Sequence, residues 1–430
     1  MLRFFLIFFA LPATAMEFPA PVGDDAYRAT DPAQVEMGRL LFWDPVLSGN
    51  RELSCGTCHH PRFGTSDGLS LGMGDGGRGL GPERAADPAN VPEERLARNA
   101  PGLWNLGAHE FSVLFHDGRV EELVDGFRTP MGTEMVEGFD SVLSAQTMFP
   151  VLADDEMAGH YAENEVSRAV RKGEITGPGG AWALIAARVR AVPDYMEMWR
   201  AAFPGDDELD FTDISDAIAA FVEHEWRSDT SPFDGWLRGE DSLPPEALAG
   251  VELFYGELGC ASCHAGPFQT DHEFHVTGQP QLGPGKRARF ESHARDEGRL
   301  RVTGEAADRF AFRTPSLRNV TETGPWGHAG AYDDLRAFLV DHAAPRRALA
   351  GYARTSVLPD MGGTTEDWAF MEDAAEVAAL ATAVEGPDRV LTEAEIDALA
   401  AFLAALRDED ALAGRLGIPE TVPSGLPVDR

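Results

Sequence analysis

The chain has 430 residues, 36 Lys+Arg against 71 Asp+Glu, a formal net charge of −35 and 43% hydrophobic residues. That length and apolar share support two domains of ordinary size, and the charge argues against nucleic acid as a partner, because phosphate binding needs a basic face. An acidic surface suits either the attraction of a basic donor protein or plain solubility.

Residues 1–15 read as an export leader. Arg3 supplies the positive start, Phe4 to Leu11 the apolar stretch, and Ala13-Thr14-Ala15 the small-residue cleavage pattern, so the mature chain is expected to begin near Met16. The stretch is too short to span a bilayer, Pro12 interrupts it, and no later segment is long and uncharged. A periplasmic protein without a membrane span is the expectation.

The four cysteines fall in two segments, Cys55-Gly56-Thr57-Cys58-His59 and Cys260-Ala261-Ser262-Cys263-His264. Four cysteines in an exported protein ordinarily predict two disulfides. Two-residue spacing with a histidine directly after each pair predicts instead two c-type haem attachment sites. Thiols so spaced on a short helical turn reach two vinyl groups on one porphyrin edge, and the next residue sets an imidazole under the iron. A four-thiolate zinc site has no use for a histidine after both pairs. Two covalently bound haems c are expected, with His59 and His264 as iron ligands.

Between the motifs, Ile214, Ala217, Ile218, Phe221 and Val222 follow a 3.6-residue period and close a first unit near Trp226. Ser228 to Asp241, with Pro232 and Gly239, reads as a linker. Pro244 and Pro245 open a helix to about Tyr255 that delivers the second motif, and another helix runs from Asp333. Thr392 and Glu395 form a capping-box pattern ahead of Ile396, Leu399, Phe402, Leu403 and Leu406. Residues 60–100 and 265–312 are expected to be long loops, and 345–391 carry no readable chemistry. The expected fold is mainly α, with two cytochrome c-like haem domains at residues 16–228 and 229–430.

Several segments carry a family resemblance: Gly38-Arg39-Leu40-Leu41-Phe42-Trp43-Asp44-Pro45, Arg98-Asn99-Ala100-Pro101, Phe115-His116-Asp117-Gly118-Arg119, Arg313-Thr314-Pro315-Ser316-Leu317-Arg318-Asn319-Val320 and Gly324-Pro325-Trp326-Gly327-His328-Ala329-Gly330. With them the chain resembles the bacterial dihaem cytochrome c peroxidase and MauG family over most of its mature length. The resemblance implies that the haem on His59 binds hydrogen peroxide. It implies that the haem on His264 relays or stores electrons from a small donor protein, a cytochrome c or a cupredoxin. It also implies a distal acid that carries a proton from the near peroxide oxygen to the far one. Leu143-Ser144-Ala145-Gln146 and Pro150, ahead of Glu156-Met157, put that acid at Glu156. Glu134-Met135 repeats the dipeptide and would fit only if residues 121–141 were not an insertion.

Other positions depart from the family pattern. Met73, in Ser70-Leu71-Gly72-Met73-Gly74, stands where many relatives carry a blocking loop histidine, which implies a first iron open at rest. The register after His328 puts the sixth ligand of the second haem at His342. A His/His pair holds a lower potential than His/Met. His116 stands where the family has a tryptophan between the haems; Trp104, in a nearby segment, is expected in the core, with substitution for that tryptophan as the alternative. A calcium ion between the haems is implied, held by Asn99 with the carbonyls of Thr323 and Pro325, which is hard-oxygen chemistry. A homodimer is implied by the family alone. His275 is expected to line the second haem pocket. His60, His109, His160, His224, His272 and His293 carry no ligand spacing. The leading function is reduction of hydrogen peroxide to water. Oxidation of side chains on a partner protein, as in MauG, and non-catalytic electron carriage are the alternatives.

Overall fold

Asp31 caps the first helix, Pro32–Phe42, by accepting from the N–H groups of Ala33 and Gln34, and Pro32 takes the first turn, where a missing N–H costs nothing. This helix crosses Phe211–Glu225, whose capping box pairs Asp210 with Asp213. Gly38 permits the crossing: a Cβ there would stand 1.7 Å from the Ala217 carbonyl oxygen. Met37, Leu41 and Phe42 pack with Ile214, Ala217, Ile218, Phe221, Val222 and Trp226 in the first core. Full burial of aliphatic and aromatic side chains of this size contributes about 1.5–3 kcal/mol each. Helices Glu165–Lys172, Ala181–Arg190 and Pro193–Ala202 complete this half. The computed structural model describes residues 18–430 apart from 161, 289, 363 and 364, so the expected leader lies outside the described residues.

The second half repeats the arrangement. Helix Pro245–Glu252 crosses Glu393–Ala405, and a Cβ on Gly250 would lie 2.0 Å from the Ala398 carbonyl oxygen. Val251, Phe254, Leu399, Phe402, Leu403 and Leu406 form its core. The Thr392–Glu395 capping box is present. In each half, a helix that a glycine seats against a later helix leads into a cysteine motif.

The molecule is mostly helical, and strands are few and short. Gly77–Arg78 pairs with Ala85–Ala86, and Phe274–His275 pairs with Phe312–Arg313, both antiparallel. Val113–Leu114, Val120–Leu123 and Gly126–Arg128 form a three-stranded antiparallel meander.

The segment expected to be a linker contains the helix Pro232–Arg238, with a Ser231–Asp234 capping box and Gly239 in the left-handed conformation at φ 73°. Proline at the first turn and glycine just past the end mark the limits of a helix here, not a break in the chain. Just before it, Ser228 is a buried polar knot. Its backbone N–H donates to Asn105 Oδ1 at 2.7 Å, its hydroxyl donates to Asp408 Oδ2 at 3.1 Å, and Asn319 Nδ2 donates to that hydroxyl at 3.1 Å.

The C-terminal tail crosses back to the first half. Ala411 and Val422 lie in the first core, Ser424 Oγ donates to Asp44 at 2.6 Å, and Thr57 Oγ1 donates to Asp429 at 2.6 Å. Residues 345–391 include a clamp on the long first loop. Val357 exchanges two hydrogen bonds of 2.8 Å with Ser70, and Arg95 donates to Asp367 at 2.9 Å and to the Pro359 carbonyl at 2.6 Å. Among the described residues, no helix is long and apolar enough to cross a membrane.

Candidate active site

Cys55–Cys58 make one helical turn that Ser54 and Thr57 cap, and His59 follows with Nδ1 2.9 Å from the Thr65 carbonyl. An imidazole that donates from Nδ1 presents the bare Nε2 lone pair, as metal-bound histidines do. The second motif repeats this on the turn Cys260–Ser262, with His264 Nδ1 3.1 Å from the Gln269 carbonyl. No cysteine is in a disulfide. Burial pushes the Cys55 and Cys58 thiols up to about 12 and Cys260 up to about 11. These are sites for uncharged sulfur, which a thioether supplies.

His342 lies near the end of helix Leu335–Ala343, which Asp334 caps. Its ring centre stands 6.4 Å from that of His264, with the planes at 61°. Two metal–nitrogen bonds of about 2 Å, with about 1.2 Å from each nitrogen to its ring centre, sum to about 6.4 Å. The gap therefore fits one iron between the two rings. Burial, then His264, lowers His342 to about 4, which keeps it a neutral ligand. Phe338 stacks on it at 5.3 Å, and Gln279 Nε2 lies 3.2 Å from its Nδ1. Gln279 Oε1 is buried without a partner. A half-turn of that amide sets Oε1 on the Nδ1–H that a neutral imidazole carries when Nε2 binds metal.

Glu156 sits in a wide turn, Asp154–Ala158, of π-helical form. Such turns recur at functional sites. Burial raises its carboxyl above the ordinary glutamate range, while Lys286 and then Arg119 pull it back down. Its negative charge also acts on Cys58, which puts it on the side of the first motif. Among the described residues, no hydrogen bond or ion pair engages its carboxylate. Glu134 lies exposed on the turn Gly132–Glu134, beyond the hairpin of Val120–Leu123 and Gly126–Arg128, and meets no such environment. Met73 is fully buried, and Arg84 fastens its loop by donating to the carbonyls of Met73, Gly74 and Gly79 at 2.6, 2.8 and 2.7 Å.

Charged and aromatic groups meet where the halves join. Arg98 grips Asp296 with two bonds of 2.6 and 2.8 Å and pairs with Asp117 at 2.7 Å, all three buried. His116 is lowered to about 3 by burial, then by Arg98, His328 and Arg313. His328 stacks on Phe312 at 3.9 Å, and both its ring nitrogens lack partners. Arg313 is lowered to about 10 by burial alone, and its Nε donates to the Phe115 carbonyl at 3.3 Å. Trp104 belongs to the first core. His275 bonds Asp271 at 2.9 Å and acts on His264 electrostatically, which puts it beside the second motif.

Asn99 donates from Nδ2 to the Leu69 carbonyl at 2.6 Å and from its backbone to the His328 carbonyl at 2.9 Å. A Cβ on Gly102 would lie 3.1 Å from Thr323 Cγ2, so residues 99–102 run beside 323–328. Asn99 thus meets His328 and Gly102 meets Thr323 on these two adjacent segments.

The family model for di-haem cytochrome c peroxidases matches residues 32–242. Methylamine utilization protein MauG of Methylorubrum extorquens is 31% identical over 316 residues, 72% of this chain and 68% of that protein. The chain belongs to the di-haem cytochrome c peroxidase family. MauG of Paracoccus denitrificans is 27% identical over 93% of this chain and 94% of its own length. Cytochrome c551 peroxidase of Nitrosomonas europaea is 29% identical, covering 69% of this chain and 68% of its own. Among solved structures, a MauG-like protein associated with microbial copper homeostasis matches with TM-score 0.59 and 24% identity over 94% of this chain and 97% of that one. The diheme peroxidase BthA of Burkholderia thailandensis matches with TM-score 0.56 and 21% identity over 96% and 95%. Both of these show the fold.

Sequence reasoning did not single out two residues that lie beside the expected site residues. Lys286, beside Glu156, is one of only two lysines in the chain, a compositional signal that was there to read. Gln279, beside His342, carries no signal in the sequence.

Proposed function

We propose that this chain is a periplasmic dihaem peroxidase that reduces hydrogen peroxide to water with electrons from a small donor protein. The reading rests on one asymmetry: a raised, unengaged carboxyl at Glu156 on the first motif's side, against facing imidazoles of His264 and His342 on the second. When bound through Cys55, Cys58 and His59, and through Cys260, Cys263 and His264, the two haems supply one-electron redox chemistry and, at the first iron, a place for peroxide. Glu156 takes the proton from the near peroxide oxygen and delivers it to the far one, so that water is the leaving group. Two further protons and two electrons from the donor complete two waters. Lys286 and Arg119 hold positive charge beside this transfer, and the Thr65 carbonyl holds His59 in the ligating tautomer. His116, Phe312 and His328 line the ground between the halves. Asn99, Thr323 and Pro325 are the proposed calcium seat.

The test is peroxide turnover with a reduced cytochrome c or cupredoxin, together with electron paramagnetic resonance of the resting ferric protein. One high-spin and one low-spin signal are expected; two low-spin signals overturn the open first iron. Lys286→Met removes the cation that most lowers Glu156. The acid limb of kcat/KM for peroxide is expected to move to higher pH, while Lys172→Met leaves it in place. His342→Met exchanges imidazole for thioether, and redox titration is expected to show a higher potential for that haem alone.

Oxidation of side chains on a partner protein is the second reading. It is favoured by His342 in place of a thioether and by a fastened loop with Met73 in place of histidine. Slow turnover with every small donor, beside rapid reaction with peroxide, decides for it.

A further inference from the structure

We propose that Asp75, His160 and Glu163 form a binding site for a divalent transition-metal ion of the zinc type, separate from both haem motifs and from the calcium seat. One nitrogen of His160 and one oxygen from each carboxylate lie within 4.8 Å of one another. Asp75 is completely buried at 0% exposure. Its Oδ2 accepts from Asn50 Nδ2 at 2.8 Å, while its Oδ1 has no partner. His160 Nδ1 lies 2.9 Å from Asn90 Oδ1. That oxygen only accepts, so Nδ1 carries the ring proton and Nε2 keeps a bare lone pair. Nε2, too, is buried without a partner.

Two buried lone pairs in one cluster, both without donors, call for a cation. Asn90 does for His160 what outer-shell groups do for metal-bound histidines: it fixes the tautomer and the ring. The backbone is shaped to allow it. Gly76 has φ 81°, and a Cβ there would meet the Asn90 carbonyl oxygen at 2.2 Å and His160 Cε1 at 3.2 Å. Glu163 is exposed; its Oε2 accepts from the His160 backbone N–H at 2.9 Å and lies 3.8 Å from His160 Nδ1, so it is the movable third ligand, which swings to join an ion held at Nε2. One imidazole with two carboxylates suits zinc better than calcium or magnesium, which prefer all-oxygen shells. Three protein ligands leave a fourth position for water.

The site stands at the foot of the turn that carries Glu156. The Asp75 backbone N–H donates to the Glu156 carbonyl at 2.9 Å. Asn164 Nδ2 donates to Asn50 Oδ1 and to the Ala158 carbonyl, each at 3.0 Å. An ion held there braces residues 154–158. Binding of the metal does not rest on the role given to Glu156.

The experiment uses the full holoprotein, stripped with a chelator and titrated with zinc chloride by calorimetry, with metals counted against iron. One zinc per chain is expected, not displaced by millimolar calcium, with slower amide hydrogen exchange at 154–164. Asn90→Ala is expected to weaken binding about 10–100-fold. Glu163→Gln, at an exposed position that does not threaten folding, is expected to weaken it as well, with haem absorbance unchanged. Zinc bound only as weakly as to surface histidines, equal affinity in both variants, displacement by calcium, or protection confined to other segments each overturns the site.

Discussion

Replacing Glu156 with glutamine is expected to slow peroxide reduction by about 10²–10⁴-fold, the range that positioned proton transfer supplies. Both haems stay attached, because their cysteines and histidines are untouched. Glutamine keeps the shape and loses the ionisable carboxyl, and with it the negative charge that Lys286 and Arg119 act on. The carboxylate it replaces has no hydrogen-bond or ion-pair partner among the described residues, so the change leaves no hydrogen-bonding group without its partner. That separates the chemistry from stability better than most active-site substitutions do. The pH profile carries the same information. Glu156 must start deprotonated to take the first proton, and burial has raised its carboxyl. The wild-type rate is therefore expected to fall as pH drops through a value above the ordinary glutamate range, and that limb should vanish in the variant. Stopped-flow mixing with peroxide from mildly acid to neutral pH reads both effects. Undiminished turnover in the variant removes Glu156 from the mechanism and leaves two haem motifs without an acid.

The parts of this molecule that were legible in its sequence are those whose geometry is local. A Cys-x-x-Cys-His turn, or the Thr392–Glu395 box, is complete within a few residues, so the pattern and the structure are nearly the same thing. His342 is named by family register alone, and its ring centre lies 6.4 Å from that of His264. Ser228 to Asp241 misled because proline and glycine serve as helix start and stop signals as readily as they break a chain. The contacts that stayed hidden join distant segments. Lys286 faces Glu156 across 130 positions of chain, and the Ser424 hydroxyl reaches Asp44 from the opposite terminus. No periodicity records such pairings, since each partner alone is an ordinary polar residue. Segment 345–391 looked empty for the same reason. Its work is done by the Val357 and Pro359 backbone and by Asp367 against Ser70 and Arg95, and backbone groups leave no mark in the residue pattern.

Asp296→Asn is expected to cost about 3–5 kcal/mol of unfolding free energy, because it breaks a buried pair from one side only. Arg98 and Asp117 come from the first half and Asp296 from the second, with exposures of 8%, 2% and 2%. In the variant the guanidinium stays buried and keeps Asp117, but one edge of it now faces an amide that cannot match the two bonds to Asp296. The neighbourhood has no substitute to offer: His116 is lowered by burial and stays neutral, and Arg313 and Lys286 are themselves cations. By contrast Arg336→Gln, which breaks the exposed pair with Asp397, is expected to change stability by less than about 1 kcal/mol. Arg98 holds the Asp296 carboxyl far below the ordinary aspartate range against the cost of burial. A depressed folded-state value means that this stability is fully present above the unfolded value of about 3.9 and is lost as pH falls below it. The gap between wild type and Asp296→Asn should therefore be constant from pH 5 to 8 and narrow only in stronger acid, as read from denaturant midpoints at each pH. A gap that instead grows on acidification, or one no larger than that of Arg336→Gln, would mean that the ionic clasp between the halves contributes nothing to holding them together.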